Sequence, residues 1–345
     1  MKVRSRAPLR LGIAGGGTDV SPYSDLYGGC VLNVTVTMYA HCTIEEIPNE
    51  NEIIFEAKDL GVTYRSKPVA DFDLSGDLIL HKAIYNRVVK EFNNNEPLAV
   101  RVTTFSDAPP GSGLGSSSTM VVSILRAYQE LLGLPLGEYD LAHLAFEIER
   151  LDCSLDGGKQ DQYAATFGGF NFIEFSGDDK VIVNPLRIRN EIVNELEAHL
   201  LLFHTGVSRE SARIIEDQRK LVNSDEGGEA LQAMHSVKES AYKMKEALLK
   251  GDVTLMSDIL KESWVSKKKT SVSITNPHVE GIYNVAMSAG ALSTKLSGAG
   301  GGGFMMMFVE PTLRCEVEQA LIGHVNNGNL YKLHFTNKGA QAWVV

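Results

Sequence analysis

Cysteine is scarce in this 345-residue chain: there are four, Cys30, Cys42, Cys153 and Cys315, and no two form a CxxC pair. That spacing speaks against a disulfide framework or a thiolate zinc site and fits a reducing cytoplasm. No apolar run approaches the ~20 residues needed to span a bilayer. Lys2, Arg4, Arg6 and Arg10 imitate the basic start of a signal peptide, but the apolar stretch behind them, Leu11 to Ala14, is broken by Gly12 and too short. Positive charge is also in deficit, with 33 Lys and Arg against 43 Asp and Glu and a net charge of −10. An acidic surface is a poor platform for nucleic acid or anionic membrane, so neither partner is expected, and an anionic ligand needs a local site. Repeats of fixed period and low-complexity segments are missing as well. The remaining composition, 43% hydrophobic and 22% charged, is that of a globular protein. At roughly 100–200 residues per domain, two domains are expected.

What the chain does have is clustered glycine. Many of its 32 glycines fall at Gly15-Gly16-Gly17, at Gly111, Gly113 and Gly115, and at Gly298 with Gly300 to Gly303. Glycine collects where backbone turns sharply or approaches a ligand closely. The segments between read as α+β. Strands are expected over Val31–Ile47, Ile53–Phe55, Val62–Tyr64, Leu98–Phe105 and Phe170–Phe175. Helices are expected over Asp77–Phe92, Ser116–Leu132, Leu141–Leu151 and Gln160–Thr166. A second half begins near Val183–Arg189. It continues with strand Leu200–His204, helix Arg209–Val222, a loop at Asn223–Gly228, and helices Ala230–Lys250 and Val253–Ser266. The tail from Pro277, capped by Asn276, reads α-β-β-α-β with strands Leu292–Leu296, Phe304–Val309, Leu330–Phe335 and Ala342–Val345, compatible with a ferredoxin-like unit. The division falls at 1–182 and 183–345.

Pro109-Pro110-Gly111-Ser112-Gly113-Leu114-Gly115-Ser116-Ser117-Ser118-Thr119 follows a strand and opens a helix. Glycines there let backbone N–H groups point inward, and a helix N-terminus adds free amides and partial positive charge, which together suit a phosphate. The serine hydroxyls can cap the helix, reach phosphate oxygens or ligate Mg²⁺. A Walker A loop, GxxxxGK[ST], occurs nowhere, so cationic help must come from elsewhere in the sequence. Gly298-Ala299-Gly300-Gly301-Gly302-Gly303 satisfies GxGxxG literally, but a strand, Phe304–Val309, follows it instead of a helix. A dinucleotide fold is therefore rejected. A protein-kinase fold is rejected because no HRD or DFG accompanies the loop. Asp19, Glu149 and Asp161 each have an ordinary explanation as an Asx-turn, a surface ion pair and a helix-start carboxylate.

The order of these motifs resembles the GHMP small-molecule kinase superfamily. Ala7-Pro8-Leu9-Arg10 with Gly15-Gly16-Gly17-Thr18-Asp19 is similar to its N-terminal substrate motif, Pro110 to Ser118 to its phosphate loop, and Lys295-Leu296-Ser297-Gly298-Ala299-Gly300-Gly301-Gly302-Gly303 to its C-terminal motif. The resemblance implies a two-domain fold, ribosomal-protein-like then ferredoxin-like, with the active site in the cleft between them. It implies ATP and Mg²⁺ as cofactors. Asp161, twelve residues after Glu149, takes the position of the catalytic aspartate, and Arg10 that of a basic residue near the transferred phosphoryl group. Glu149 with Ser117, or its neighbour Ser116, takes the metal position. Pro110, Gly111, Ser112, Gly113, Leu114, Gly115, Ser116, Ser117 and Ser118 take the phosphate loop. Gly17, Thr18, Asp19, Lys159, Gln160, Arg209 and Gly301 are the substrate-binding candidates.

Within the superfamily, Gly17-Thr18-Asp19 followed by Pro22-Tyr23, Tyr27-Gly28-Gly29, and Gly158-Lys159-Gln160-Asp161-Gln162-Tyr163 resemble anomeric sugar kinases whose acceptor is a heptose already phosphorylated at C7. Such an acceptor asks for a second cationic pocket, and Arg209 with Ser208 and Ser211, Lys159, and the run Lys267-Lys268-Lys269 are candidates. The alternatives are an anomeric kinase for an unphosphorylated sugar such as L-fucose, and a sugar-binding regulator on the same fold. Pairing with a second copy as a homodimer is left open.

Overall fold

The computed structural model describes residues 1–345 except 178, 209–213, 218–227 and 326. Its first strand, β1 (Lys2–Ala14), occupies the basic N-terminus. Val3, Ser5 and Ala7 are buried while Arg4 is exposed, so the run that imitates a signal peptide is a strand with one wet face. β1 pairs along nearly all of β2 (Gly29–Glu46), which also meets β5 (Val100–Ser106) through its second half and β6 (Phe170–Phe175) through its first. β3 (Ile53–Ala57) lies parallel to β5, and β4 (Val62–Ser66) closes that edge. β7 (Val181–Pro185) pairs with β6, and the last strand, β12 (Gln341–Val344), pairs with β1. The first sheet thus runs past residue 182 and takes back the chain's end, because β1 has an edge that only a returning strand can satisfy.

After the short helix α1 (Tyr23–Tyr27), helices α2 (Ile79–Phe92) and α3 (Ser116–Leu132) cover one face of this sheet. Val121, Leu125 and Tyr128, spaced three and four apart, are fully buried against Ile44 and Val102. Burying each such side chain is worth about 1.5–3 kcal/mol, which anchors the far end of α3 while its N-terminus projects toward the glycine loop. Gly133, with φ 64°, closes α3. α4 (Glu138–Glu147) gives way to a π-helical turn, Ile148–Asp152, where one unbroken helix to Leu151 is predicted. That extra residue per turn carries Glu149 inward, where it is 1% exposed.

The second sheet has the order β11–β8–β10–β9, with β8 (Leu200–His204), β9 (Ala291–Leu296), β10 (Phe304–Val309) and β11 (Asn329–Tyr331). Chain order β8–helices–β9–β10–helix–β11 in that arrangement is the ferredoxin-like plan. The predicted tail needs one correction: the unit starts at β8, and residues 341–344 leave it for β1. β10 is buried at all six positions because sheet neighbours flank it and apolar layers cover both faces. Between the sheets, Leu9, Leu11 and Val34 pack with Met306, Met244 and Leu260, the last two from helices Gly228–Lys250 and Val253–Lys268. The halves therefore share one apolar core. The predicted helix Arg209–Val222 and loop Asn223–Gly228 lie largely outside the described residues. Among those described, no helix is long and apolar enough to cross a membrane.

Candidate active site

A cavity of about 280 Å³ opens where β1, the start of α3, helix α5 (Gln160–Phe167) and the two glycine loops converge. Gly111, Gly113 and Gly115 have φ of 68°, 79° and 78°, a left-handed backbone that favours glycine. The first-turn amides of Ser116, Ser117 and Ser118 lack intrahelical acceptors and carry the positive end of the α3 dipole. Pro110 and Leu114 do not line the cavity. The Pro110 carbonyl accepts from Ser208 Oγ at 2.8 Å, and Leu114 points into the core with its carbonyl taken by the Arg10 amide at 3.1 Å.

Asp161 sits in the first turn of α5, and its Oδ1 accepts from Arg10 Nε at 2.6 Å. A methyl on Gly115 would stand 2.9 Å from the Asp161 carboxyl carbon, so the carboxylate lies directly against the start of α3. Arg10 Nη1 also donates to the Gly113 carbonyl at 2.6 Å, tying the acid–base pair to the glycine loop. Ser117 Oγ donates to Glu149 Oε1 at 2.7 Å, and Gln162 Nε2 donates to the other carboxylate oxygen at 2.7 Å. A hydroxyl and one carboxylate are what a Mg²⁺ that also takes phosphate oxygens and water asks of a protein, so the pair fits the ion. Among the described residues no group of three or more His, Cys, Asp or Glu can hold a metal. Ser118 Oγ instead accepts from Arg150 and Gln162.

The first glycine cluster shapes the opposite wall. Asp19 is 2% exposed and accepts from the Gly17 amide at 3.1 Å and from the Gln160 amide and side chain at 3.2 and 3.1 Å. Gln160 Oε1 is buried beside Gly12 and has no partner among the described residues, an acceptor open to a ligand hydroxyl. Thr18 is placed differently from its substrate-binding assignment: it is fully buried, its hydroxyl donating to the Gly15 and Cys30 carbonyls and accepting from the Cys30 amide. The Lys159 ammonium turns to Asp179 at 2.7 Å and Asp25 at 3.4 Å, outside the main cavity. Gly301 is also away from it, with its amide on the Ile274 carbonyl and its own carbonyl on Asn276. Arg209 and Ser211 lie outside the described residues.

The second glycine loop, 298–303, holds the first. Ser297 Oγ donates to the Gly113 carbonyl at 3.1 Å, and the Phe304 amide donates to the Ser112 carbonyl at 2.8 Å. Methyls on Gly113 and Gly298 would meet the facing loop's backbone at 2.6 and 2.7 Å. Two cations accompany this loop: Lys295, which opens the C-terminal motif, and Lys267, from the lysine run offered for a second cationic pocket. Lys295, on β9, donates to the Ile13 carbonyl at 3.1 Å. Lys267 donates to the Gly298 carbonyl. Both line the cavity and are 4% exposed. Burial, with Lys267 and Arg10 nearby, pushes Lys295 down to about 7. Burial and Arg10 push Lys267 down to about 8. The lysine run splits because successive helical side chains point about 100° apart. Lys268 pairs with Glu280 and Lys269 with Glu229.

Residues 79–169 match the family described as GHMP kinases N terminal domain, and residues 244–325 the one described as GHMP kinases C terminal. The chain belongs to the GHMP kinases, a family of phosphotransferases. Within it, the chain is 48% identical over 343 residues to the D-glycero-alpha-D-manno-heptose 7-phosphate kinase of Campylobacter jejuni, covering 99% of this chain and 98% of that one. It superposes with TM-score 0.85 and 45% identity on the D-glycero-D-manno-heptose 1-phosphate kinase of Bacteroides thetaiotaomicron, covering 99% of both. The L-fucokinase/L-fucose-1-P guanylyltransferase of Bacteroides fragilis is 24% identical, with 98% of this chain matched to 38% of that protein.

Proposed function

We propose that this protein transfers the γ-phosphoryl group of ATP to the anomeric hydroxyl of D-glycero-D-manno-heptose 7-phosphate, giving the 1,7-bisphosphate. The observation that carries the reading is the Arg10–Asp161 pair, 2.6 Å apart and set against Gly115 at the start of α3. There a proton acceptor for the sugar hydroxyl stands beside a phosphate-binding helix end. The heptose acceptor is supported by the two heptose kinases that resemble this chain over nearly their whole length.

Loose phosphoryl-transfer transition states leave the protein mainly positioning and charge neutralisation to do. The amides from Gly111 to Ser117 hold the β- and γ-phosphates. Ser117 and Glu149 would hold Mg²⁺, which would neutralise charge developing on the phosphates. Asp161 orients the anomeric hydroxyl and takes its proton. An anomeric hydroxyl is more acidic than an ordinary alcohol, which eases its deprotonation. Arg10 keeps Asp161 in place, and Asp19 and Gln160 Oε1 take sugar hydroxyls. A cytoplasmic location is supported by the use of ATP and by four free cysteines. An ADP-release assay across heptose 7-phosphate, heptose, L-fucose and galactose tests the reading. Turnover is expected to be highest with the phosphorylated heptose; equal or faster turnover of L-fucose refutes the acceptor assignment, and no ATP turnover with any sugar refutes the kinase.

A further inference from the structure

Charged side chains around this cavity are nearly all balanced within the protein. Arg10 has Asp161, Arg150 has Glu149 at 3.3 Å, and Lys159 has Asp25 and Asp179. Among the described residues Asp19 makes no ion pair either, but amides satisfy its carboxylate and its charge reaches Lys267 only at longer range. Lys267 and Lys295 are the exceptional cations. Each is held by a single backbone carbonyl, and among the described residues no carboxylate lies within 4.0 Å of either ammonium. Burying a charge without a counter-charge is costly, and a fold has no structural reason to do it twice in one cavity. The missing counter-charge is then a ligand.

Position narrows which ligand. Lys267 touches Gly298, whose backbone abuts Gly113 of the phosphate loop, and its ammonium lies 3.9 Å from where a methyl on Gly16 would be. Lys295 is tied to β1 at Ile13, three residues beyond Arg10. Arg10 acts electrostatically on both, and Asp19 acts on Lys267. The two ammonium groups therefore flank the Arg10–Asp161–Gly113 junction on the side built by the C-terminal half.

We infer that Lys267 and Lys295 bind the oxygens of the phosphoryl group while it passes from nucleotide to acceptor. In that step the bond from the γ-phosphorus to the β–γ bridging oxygen breaks and its electron pair leaves with ADP. A bond from the acceptor oxygen to phosphorus forms, and the acceptor's proton goes to Asp161. The lysines make no covalent bond; they offset charge on the oxygens of phosphorus, work otherwise left to Arg10 and a metal ion. The inference rests on the kinase reading for the group transferred and is independent of which sugar receives it.

Two measurements on Lys267→Met and Lys295→Met test it. The first is calorimetric titration with Mg²⁺ and the non-hydrolysable β,γ-imido ATP at pH 8, in two buffers of different ionisation heat. A lysine that is largely neutral in the empty cavity becomes charged beside an anion, so the wild type takes up on the order of one proton and Lys295→Met loses most of that uptake. The second is turnover: either variant lowers kcat by about 100-fold or more, with the acceptor KM within about threefold and a melting temperature no lower than wild type. A wild type that takes up no proton overturns the inference, even if a variant misfolds. So does a kcat within about threefold of wild type in both variants. A rise of about tenfold or more in acceptor KM at unchanged kcat also overturns it, and assigns the lysines to the acceptor's own phosphate. If the wild type fails to turn over heptose 7-phosphate, the acceptor reading falls while the nucleotide titration still decides the lysines.

Discussion

The two glycine loops look alike on paper and do opposite things. In the loop at 111–115 the left-handed glycines turn the backbone toward the cavity, leaving the α3 amides open to a ligand. In the loop at 298–303 the glycines mainly serve contact between backbone segments of the chain: they let the backbone press on Gly113, Ser112, Ile274 and Val207, with Gly298 also at the cavity wall. What that second region gives the cavity is charge, through Lys295 at its base and through Lys267, held by Gly298. Glycine richness by itself therefore does not mark a phosphate site; what decides is whether the freed amides face a void or another strand of backbone.

Substitution at the junction of the two loops is expected to cost most. Asp161→Asn removes the proposed proton acceptor and is expected to lower kcat by about 10²–10⁴-fold with a much smaller change in ATP KM; an unchanged kcat in a steady-state assay ends its catalytic assignment. Gly115→Ala puts a methyl 2.9 Å from the Asp161 carboxyl carbon in a left-handed backbone, and a loss of about 100-fold in kcat is expected. Gly298→Ala attacks the holding role instead: a methyl 2.7 Å from the Gly113 carbonyl oxygen, at φ 74°, should cost about 2–4 kcal/mol in denaturant unfolding. If Gly298→Ala left stability intact while abolishing nucleotide binding, the two loops would share one role.

Charge sharpens the contrast further. Lys267 and Lys295 are held below their unfolded value of 10.5, so the native state binds fewer protons than the unfolded chain between about pH 7 and 10. Stability contributed in this way is present above pH 10.5 and is lost as pH falls through that window. The free enzyme's unfolding free energy should therefore rise near pH 8 by roughly 1–2 kcal/mol per pH unit more than that of the double Lys→Met variant. Identical pH slopes would place the two ammonium groups in contact with solvent. The smallest effect is expected at Gly133, which shares the left-handed conformation but has open space around it. Gly133→Ala should cost about 1–2 kcal/mol and leave kcat alone, separating conformational strain from steric contact.

Much of this was legible before any coordinates. The apolar spacing of Val121, Leu125 and Tyr128 and the serines ahead of them place α3 at Ser116–Leu132, the bounds observed. Motif order picks out Arg10, Ser117, Glu149 and Asp161, which the fold brings into two hydrogen-bonded pairs. β1 escaped because its alternation of basic and buried residues also suits a basic tail. The short helix Asn190–His199 escaped because only Ile192 and Leu196 on it, with His199, are buried. Thr18 was drawn toward the substrate by its neighbours in the motif, whereas its hydroxyl is spent on backbone.

The sequence by itself determined where the backbone turns, which helix start presents free amides behind a glycine loop, and which carboxylates accompany it, because those properties reside in neighbouring residues and their spacing. Only the tertiary structure decided that a lysine from the end of one helix and another from a strand come within electrostatic reach of Arg10, with no ion-pair partner for either among the described residues. Burial and the absence of a counter-charge depend on everything packed around a side chain, and no local spacing encodes them.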